Sequence, residues 1–164
     1  MQLDADKLFD TLAENIGTLP RETAIVGIHT GGAWVARALR QKLGGVHEIG
    51  NIAVTLHRDD FSARGLHPSK QTSDISFSVD GRNILLVDDV LSSGRTVRAA
   101  LNELFDFGRP ASVKLAVLID RGDRQMPFAP DYVAMTMALN ADQTLVLTDD
   151  NNQLRFDVRD RESC

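Results

Sequence analysis

The sequence is poor in the features that would assign it early to a class. Its one cysteine, Cys164, is the last residue, so no internal disulfide framework exists and no Cys/His set has zinc spacing. Basic residues do not dominate: eighteen Lys and Arg stand against twenty-three Asp and Glu, for a net charge of −5. Binding to nucleic acid or to an anionic membrane would therefore need a local basic patch rather than a global field. No apolar run approaches the roughly 18 residues of a membrane-spanning helix. The first residues, MQLDADKLFDTLAENIG, are acidic and amphipathic rather than basic and then apolar, which is no signal peptide. Internal repeats, low-complexity blocks and Pro- or Ser-rich linkers are missing as well. Together these absences lead to the expectation of a soluble, cytoplasmic protein.

What is there is an ordinary globular composition, 43% hydrophobic and 25% charged over 164 residues. That length can bury a real core in one domain, expected to cover residues 1–164. Leu3, Leu8, Leu12 and Ile16 recur at helical spacing. Thr23 to Ile28 reads as a short buried strand, His29-Thr30-Gly31-Gly32 as a turn, and Ala33 to Leu43 as a helix stopped by Gly44-Gly45. Glu48 to Leu56 and Arg82 to Val87 read as strands, and Gly94 to Phe107 as a helix. Val113 to Ile119 and short strands after Pro130 (Tyr132-Val133, Thr144 to Leu147, Leu154 to Val158) complete the set. Alternating strands and helices predict an α/β fold with a mainly parallel sheet. Continuous apolar runs at Ile84–Val87 and Leu115–Ile119 place those strands under cover on both faces.

The most informative stretch is Asn83 to Thr96, NILLVDDVLSSGRT. It runs four aliphatic residues into Asp88 and Asp89 and then into a turn of small residues that opens a helix. Ligands in such folds bind beyond the carboxyl ends of the strands. Two carboxylates there form an acceptor array for vicinal hydroxyls, for a bound Mg²⁺, or for a proton in transit. Leu91-Ser92-Ser93-Gly94-Arg95-Thr96 supplies backbone amides, hydroxyl donors and a helix N-terminus, the parts of a phosphate cradle. Neither the G-x-x-x-x-G-K-[ST] nor the G-x-G-x-x-G spacing is present. Diol acceptors beside a phosphate cradle fit a ribose 5-phosphate.

Four aliphatics, two acids, two variable residues and then Ser-Gly-Arg-Thr resemble the phosphoribosyl-pyrophosphate (PRPP) motif of the type I phosphoribosyltransferases. The resemblance implies a five-stranded, mainly parallel sheet flanked by helices, with a small hood of short strands. It implies that Asp88 and Asp89 bind the ribose hydroxyls and that Leu91, Ser92, Ser93, Gly94, Arg95 and Thr96 line the 5-phosphate site. His29, Thr30, Gly31 and Gly32 look like the family's pyrophosphate loop, with a cis peptide expected near His29–Thr30. Mg²⁺ would be held mainly by PRPP near Asp88 and Asp89, with no direct protein ligand. "TLHRDD", "VDDVLSSGRTVRAAL", "GRP", "LAVLIDRG" and "PDYV" occur in the order found in one branch, the bifunctional pyrimidine-operon attenuation regulators that are also uracil phosphoribosyltransferases.

That branch implies a transferase joining uracil and PRPP into UMP and pyrophosphate, working as a homodimer or larger assembly. Arg58, in "RDD", would be catalytic, and the polar stretch Arg58 to Asp74 would form a lid, with Arg64 and Lys70 as further pyrophosphate contacts. Asp120 and Arg121 would border the base, Tyr132 would stack on it and the Val133 backbone would read its edge. RNA is a further partner of the branch, but its basic residues are thin here. Arg124 is the main base left after "DRG", Met135 stands where a base is usual, and Lys7 sits among Asp4, Asp6, Asp10, Glu14 and Glu22. Gly31 replaces an arginine common in the branch, and Ser92 a residue often aromatic there. Two alternatives remain: a UMP- or UTP-sensing RNA-binding regulator with little catalysis, and a purine phosphoribosyltransferase, which Asp120 argues against because those enzymes usually carry a lysine there. Trp34 is expected in the core or at a dimer contact, and His47 and His57 at the surface.

Overall fold

The computed structural model describes residues 2–54 and 71–160. Among the described residues, a five-stranded sheet and a three-stranded sheet share three helices. The chain begins with β1 (Gln2–Leu3) and α1 (Ala5–Ile16), the latter capped by Asp4, whose carboxylate accepts from the Lys7 amide at 3.2 Å. Then come β2 (Ala24–Ile28), α2 (Gly31–Lys42) and β3 (Ile49–Ile52). The second half holds β4 (Asn83–Leu91), α3 (Arg95–Asp106), β5 (Ser112–Asp120) and β6 (Tyr132–Thr136). The hairpin β7 (Gln143–Asp150) and β8 (Gln153–Asp160) closes the chain and pairs with β1 in the hood.

All neighbours in the larger sheet are parallel, in the order β3-β2-β4-β5-β6. The chain moves outward from β2 in one direction and from β4 in the other. With right-handed crossovers this sends α2 and α3 to opposite faces. The side chains record it. Ile25, Leu85, Val87, Ala116 and Leu118 pack with α1, α2 and the hood, while Ala24, Val26, Ile84, Leu86 and Val117 pack with α3. The sheet is therefore covered on both sides, as its unbroken apolar strands predict. The carboxyl ends of β2 and β4 flank the point where the winding reverses, the usual crevice of an open α/β sheet.

Several boundaries depart from expectation. β4 does not stop at Val87 but continues through both aspartates to Leu91, because Asp88, Val90 and Leu91 pair with Val117, Ile119 and Asp120 of β5. α2 starts at Gly31, two residues early, and β3 ends at Ile52. β1 carries no strand pattern of its own; two residues become a strand only because β8 supplies the partner. His47 is not a surface residue. It is 2% exposed, with Nδ1 3.1 Å from the Thr23 carbonyl oxygen, where the α2–β3 connection folds against the start of β2. Trp34 packs on the core as expected. No helix among the described residues is long and apolar enough to cross a membrane.

Candidate active site at the carboxyl ends of the central strands

Asp88 and Asp89 are 2% and 6% exposed, an unusual place for two adjacent carboxylates. Strand alternation separates them: Asp88 shares the parity of Ile84 and Leu86, Asp89 that of Leu85 and Val87. Each folds back on the next amide, Asp88 Oδ1 accepting from Asp89 N and Asp89 Oδ1 from Val90 N, both at 2.9 Å. Buried carboxylates need such donors.

The turn after β2 presses directly on this pair. A Cβ on Gly31 would lie 2.2 Å from Asp89 Oδ2, and one on Gly32 would lie 2.5 Å from the Val87 carbonyl oxygen. Only glycines allow that approach. The peptide between His29 and Thr30 is cis. Thr30 is the N-cap of α2 without a side-chain cap bond, so the amides of the first turn stay available for an anion. The Thr30 hydroxyl and the Gln71 amide group exchange hydrogen bonds at 2.9–3.0 Å, a contact that no sequence signal announced.

The turn after β4 opens α3 the same way. Gly94 is its N-cap at φ +91°, where glycine is favoured, and Ser93 Oγ, in a buried residue, accepts from the Arg95 amide at 3.2 Å. Leu91 is buried and Ser92 and Thr96 are half-buried, while Arg95 is exposed and donates to the Gln125 side-chain oxygen. The two turns and the carboxylate pair thus converge at one crevice.

On the β5 side, Asp120 ends the strand beside Leu91, and its carboxylate is held by Arg124, both contacts being 2.8 Å. Arg121 is 9% exposed, donates its amide to the Leu91 carbonyl at 2.9 Å and faces Asp123 at 3.3 Å. Tyr132 and Val133 stand on the strand next to β5. They open β6 and pair with Ala116 and Val117, so Tyr132 lies four residues, about 13 Å, short of the Asp120 level. Tyr132 packs on the core beneath α1, and the Val133 carbonyl accepts from Asn15 Nδ2 at 2.8 Å. The register sets Val133 level with Val117 and, through it, with Asp88. Arg58, Arg64, Lys70, His57 and Cys164 lie outside the described residues.

Among the described residues no group of three or more His, Cys, Asp or Glu side chains could hold a metal ion. The strand end still suits a divalent cation held mainly by the oxygens of a bound phosphate group near the two carboxylates.

Residues 3–147 match the phosphoribosyl transferase domain family. Over 151 residues the chain is 51% identical to the bifunctional protein PyrR of Ralstonia nicotianae, covering 89% of this chain and 86% of that protein. It is 53% identical to the protein of the same name from Pseudomonas aeruginosa over 122 residues, 74% of this chain and 72% of that one. Its fold is similar to that of a solved hypoxanthine-guanine phosphoribosyltransferase from Bacillus anthracis, with a TM-score of 0.65 at 18% identity, covering 84% and 83% of the two chains.

Proposed function

The chain belongs to the phosphoribosyl transferase domain family, and on that premise we propose that it transfers the phosphoribosyl group of PRPP to uracil, forming UMP and pyrophosphate. The observation that carries the reading is the buried Asp88–Asp89 pair, pressed against the Gly31–Gly32 turn and followed at once by the Ser93–Gly94 turn. One crevice then offers acceptors for two ribose hydroxyls between two sets of amides for phosphate groups. The whole of residues 1–164 acts as one such domain, in the cytoplasm.

In this reading Asp88 and Asp89 take the ribose hydroxyls, and Leu91 to Thr96 take the 5-phosphate. His29 to Gly32 take the pyrophosphate, with Arg58 as a further contact. Asp120 and Arg121 border the base. Bond cleavage at C1 leaves positive charge on the sugar and negative charge on the leaving group, as in glycoside chemistry. The carboxylates favour the first and the amides of the α2 turn the second. Holding both reactants in one geometry contributes the rest. Mg²⁺ bound to the pyrophosphate near Asp88 and Asp89 would neutralise the leaving group.

A second reading, a nucleotide-sensing RNA-binding regulator, is favoured by the word "bifunctional" in the names of the relatives. Against it, the guanidinium groups of Arg121 and Arg124 are engaged by Asp123 and Asp120. The exposed side chains of Phe105 and Phe107 support assembly into a homodimer or larger oligomer.

The test is incubation with PRPP, Mg²⁺ and labelled uracil, hypoxanthine or guanine in parallel, with Asp89→Asn alongside. UMP formation that disappears in Asp89→Asn is the expected result. Nucleotide from a purine alone would remove uracil as substrate. UMP binding without turnover of any base would favour the regulator.

A further inference from the structure

Between Asp120 and Tyr132 the chain forms neither helix nor strand, yet its first half is tied down at nearly every residue. The amides of Gln125 and Met126 both donate to the Ser93 carbonyl, at 2.9 and 2.8 Å. The Ser92 hydroxyl donates to Asp123 Oδ1 at 2.9 Å. Met126 and Phe128 lie over Gly94, within 3.1 and 3.3 Å of where its Cβ would stand. This strap holds the turn after β4 from outside.

One side chain spans the strap. Arg124 donates Nη1 to the Ser92 carbonyl at 2.8 Å and Nη2 to both carboxylate oxygens of Asp120 at 2.8 Å. The side chains of Arg124 and Asp120 are 22% and 13% exposed, so the pair is largely shielded from water. Its planar fork makes all three contacts together, which a single ammonium could not do. The residue that the sequence offers as the last base of an RNA-facing stretch spends its donors inside the protein.

We infer that Arg124 is a positioning residue for phosphoribosyl transfer, locking the phosphate turn through Ser92 to the base-side end of β5 through Asp120. The inference rests on the transferase reading above. The Nη donors of Arg124 go to Ser92 and Asp120. Arg124 sets the spacing between the turn that would take the 5-phosphate and the strand end that would border the base. Without it the turn loses an anchor, while Asp88 and Asp89 keep their own amide donors.

The experiment compares the whole protein with Arg124→Ala, Arg124→Lys, Asp120→Ala and the Arg124→Ala/Asp120→Ala pair, by PRPP titration and by steady-state kinetics. For Arg124→Ala the KM for PRPP should rise about tenfold, the scale of one lost charged hydrogen bond, with kcat changed less than about twofold. Arg124→Lys should recover part of the affinity, and the double variant should be no weaker than Arg124→Ala alone, because both changes break one linkage. PRPP affinity in Arg124→Ala within about twofold of the unaltered protein would overturn the inference, as would single-variant effects that multiply in the double variant. If Arg124→Ala does not fold, Arg124→Lys and Asp120→Ala carry the same test, each expected to raise the KM for PRPP. Unaltered protein that binds no PRPP would sink the transferase reading and this inference with it. Normal PRPP affinity with lost RNA binding would make Arg124 an RNA contact instead.

Discussion

The turn after β2 and the turn after β4 both lead through glycine into a helix with no side-chain N-cap, but they are held in different ways. The first is held from beneath. Gly31 and Gly32 rest on Asp89, Asp88 and Val87, so absent side chains define its place. The second is held from above, by a strap that begins about thirty residues further along and grips Ser92, Ser93 and Gly94. A turn defined by missing atoms leaves a mark in its own sequence. One defined by a distant segment leaves its mark elsewhere.

Substitutions can break this contrast. The largest effect is expected at Gly32, where a methyl would meet strand backbone that is paired on both sides and cannot yield. Gly32→Ala should cost about 3 kcal/mol, read as a lower urea midpoint. A shift of under about 1 kcal/mol would show that the turn is not seated on the strand. At Gly31 the obstacle is the Asp89 carboxylate, a side chain that can swing aside. Gly31→Ala should therefore lose about a hundredfold in kcat while losing less than half the stability lost by Gly32→Ala. Equal stability losses would erase the distinction between the two glycines.

The second turn should respond more mildly. Gly94 has φ +91° and sits under Met126 and Phe128, so Gly94→Ala should destabilise by about 1.5 kcal/mol, visible in the same urea titration. The smallest effect belongs to Ser92→Ala, which removes one exposed hydrogen bond to Asp123 and should cost about 0.5 kcal/mol. A loss as large as that of Gly94→Ala would mean that the strap depends on the Ser92 hydroxyl more than on the backbone bonds to Ser93.

Much of the crevice was legible in the chain. The double aspartate, the small-residue turn and the glycine pair are local patterns, and the structure brings all three together. The place of Tyr132 is decided by pairing with Ala116 rather than by its aromatic type. The place of His47 is decided in the same way: a polar residue in a connection reads as exposed until the connection is folded against β2. Two charges after Val87 look like a strand end, yet a ladder continues wherever its partner does.

By itself the sequence determined the alternation of strands and helices, the faces each would bury, and the order of carboxylates, hydroxyls and glycines at the crevice. These follow from periodicity and from stereochemistry within a few residues. Tertiary structure alone decided which cations are spent internally, that Gln71 meets Thr30, and that the 120–128 strap clamps the second turn. Those outcomes depend on register and close approach between segments far apart in the chain, which no local pattern encodes.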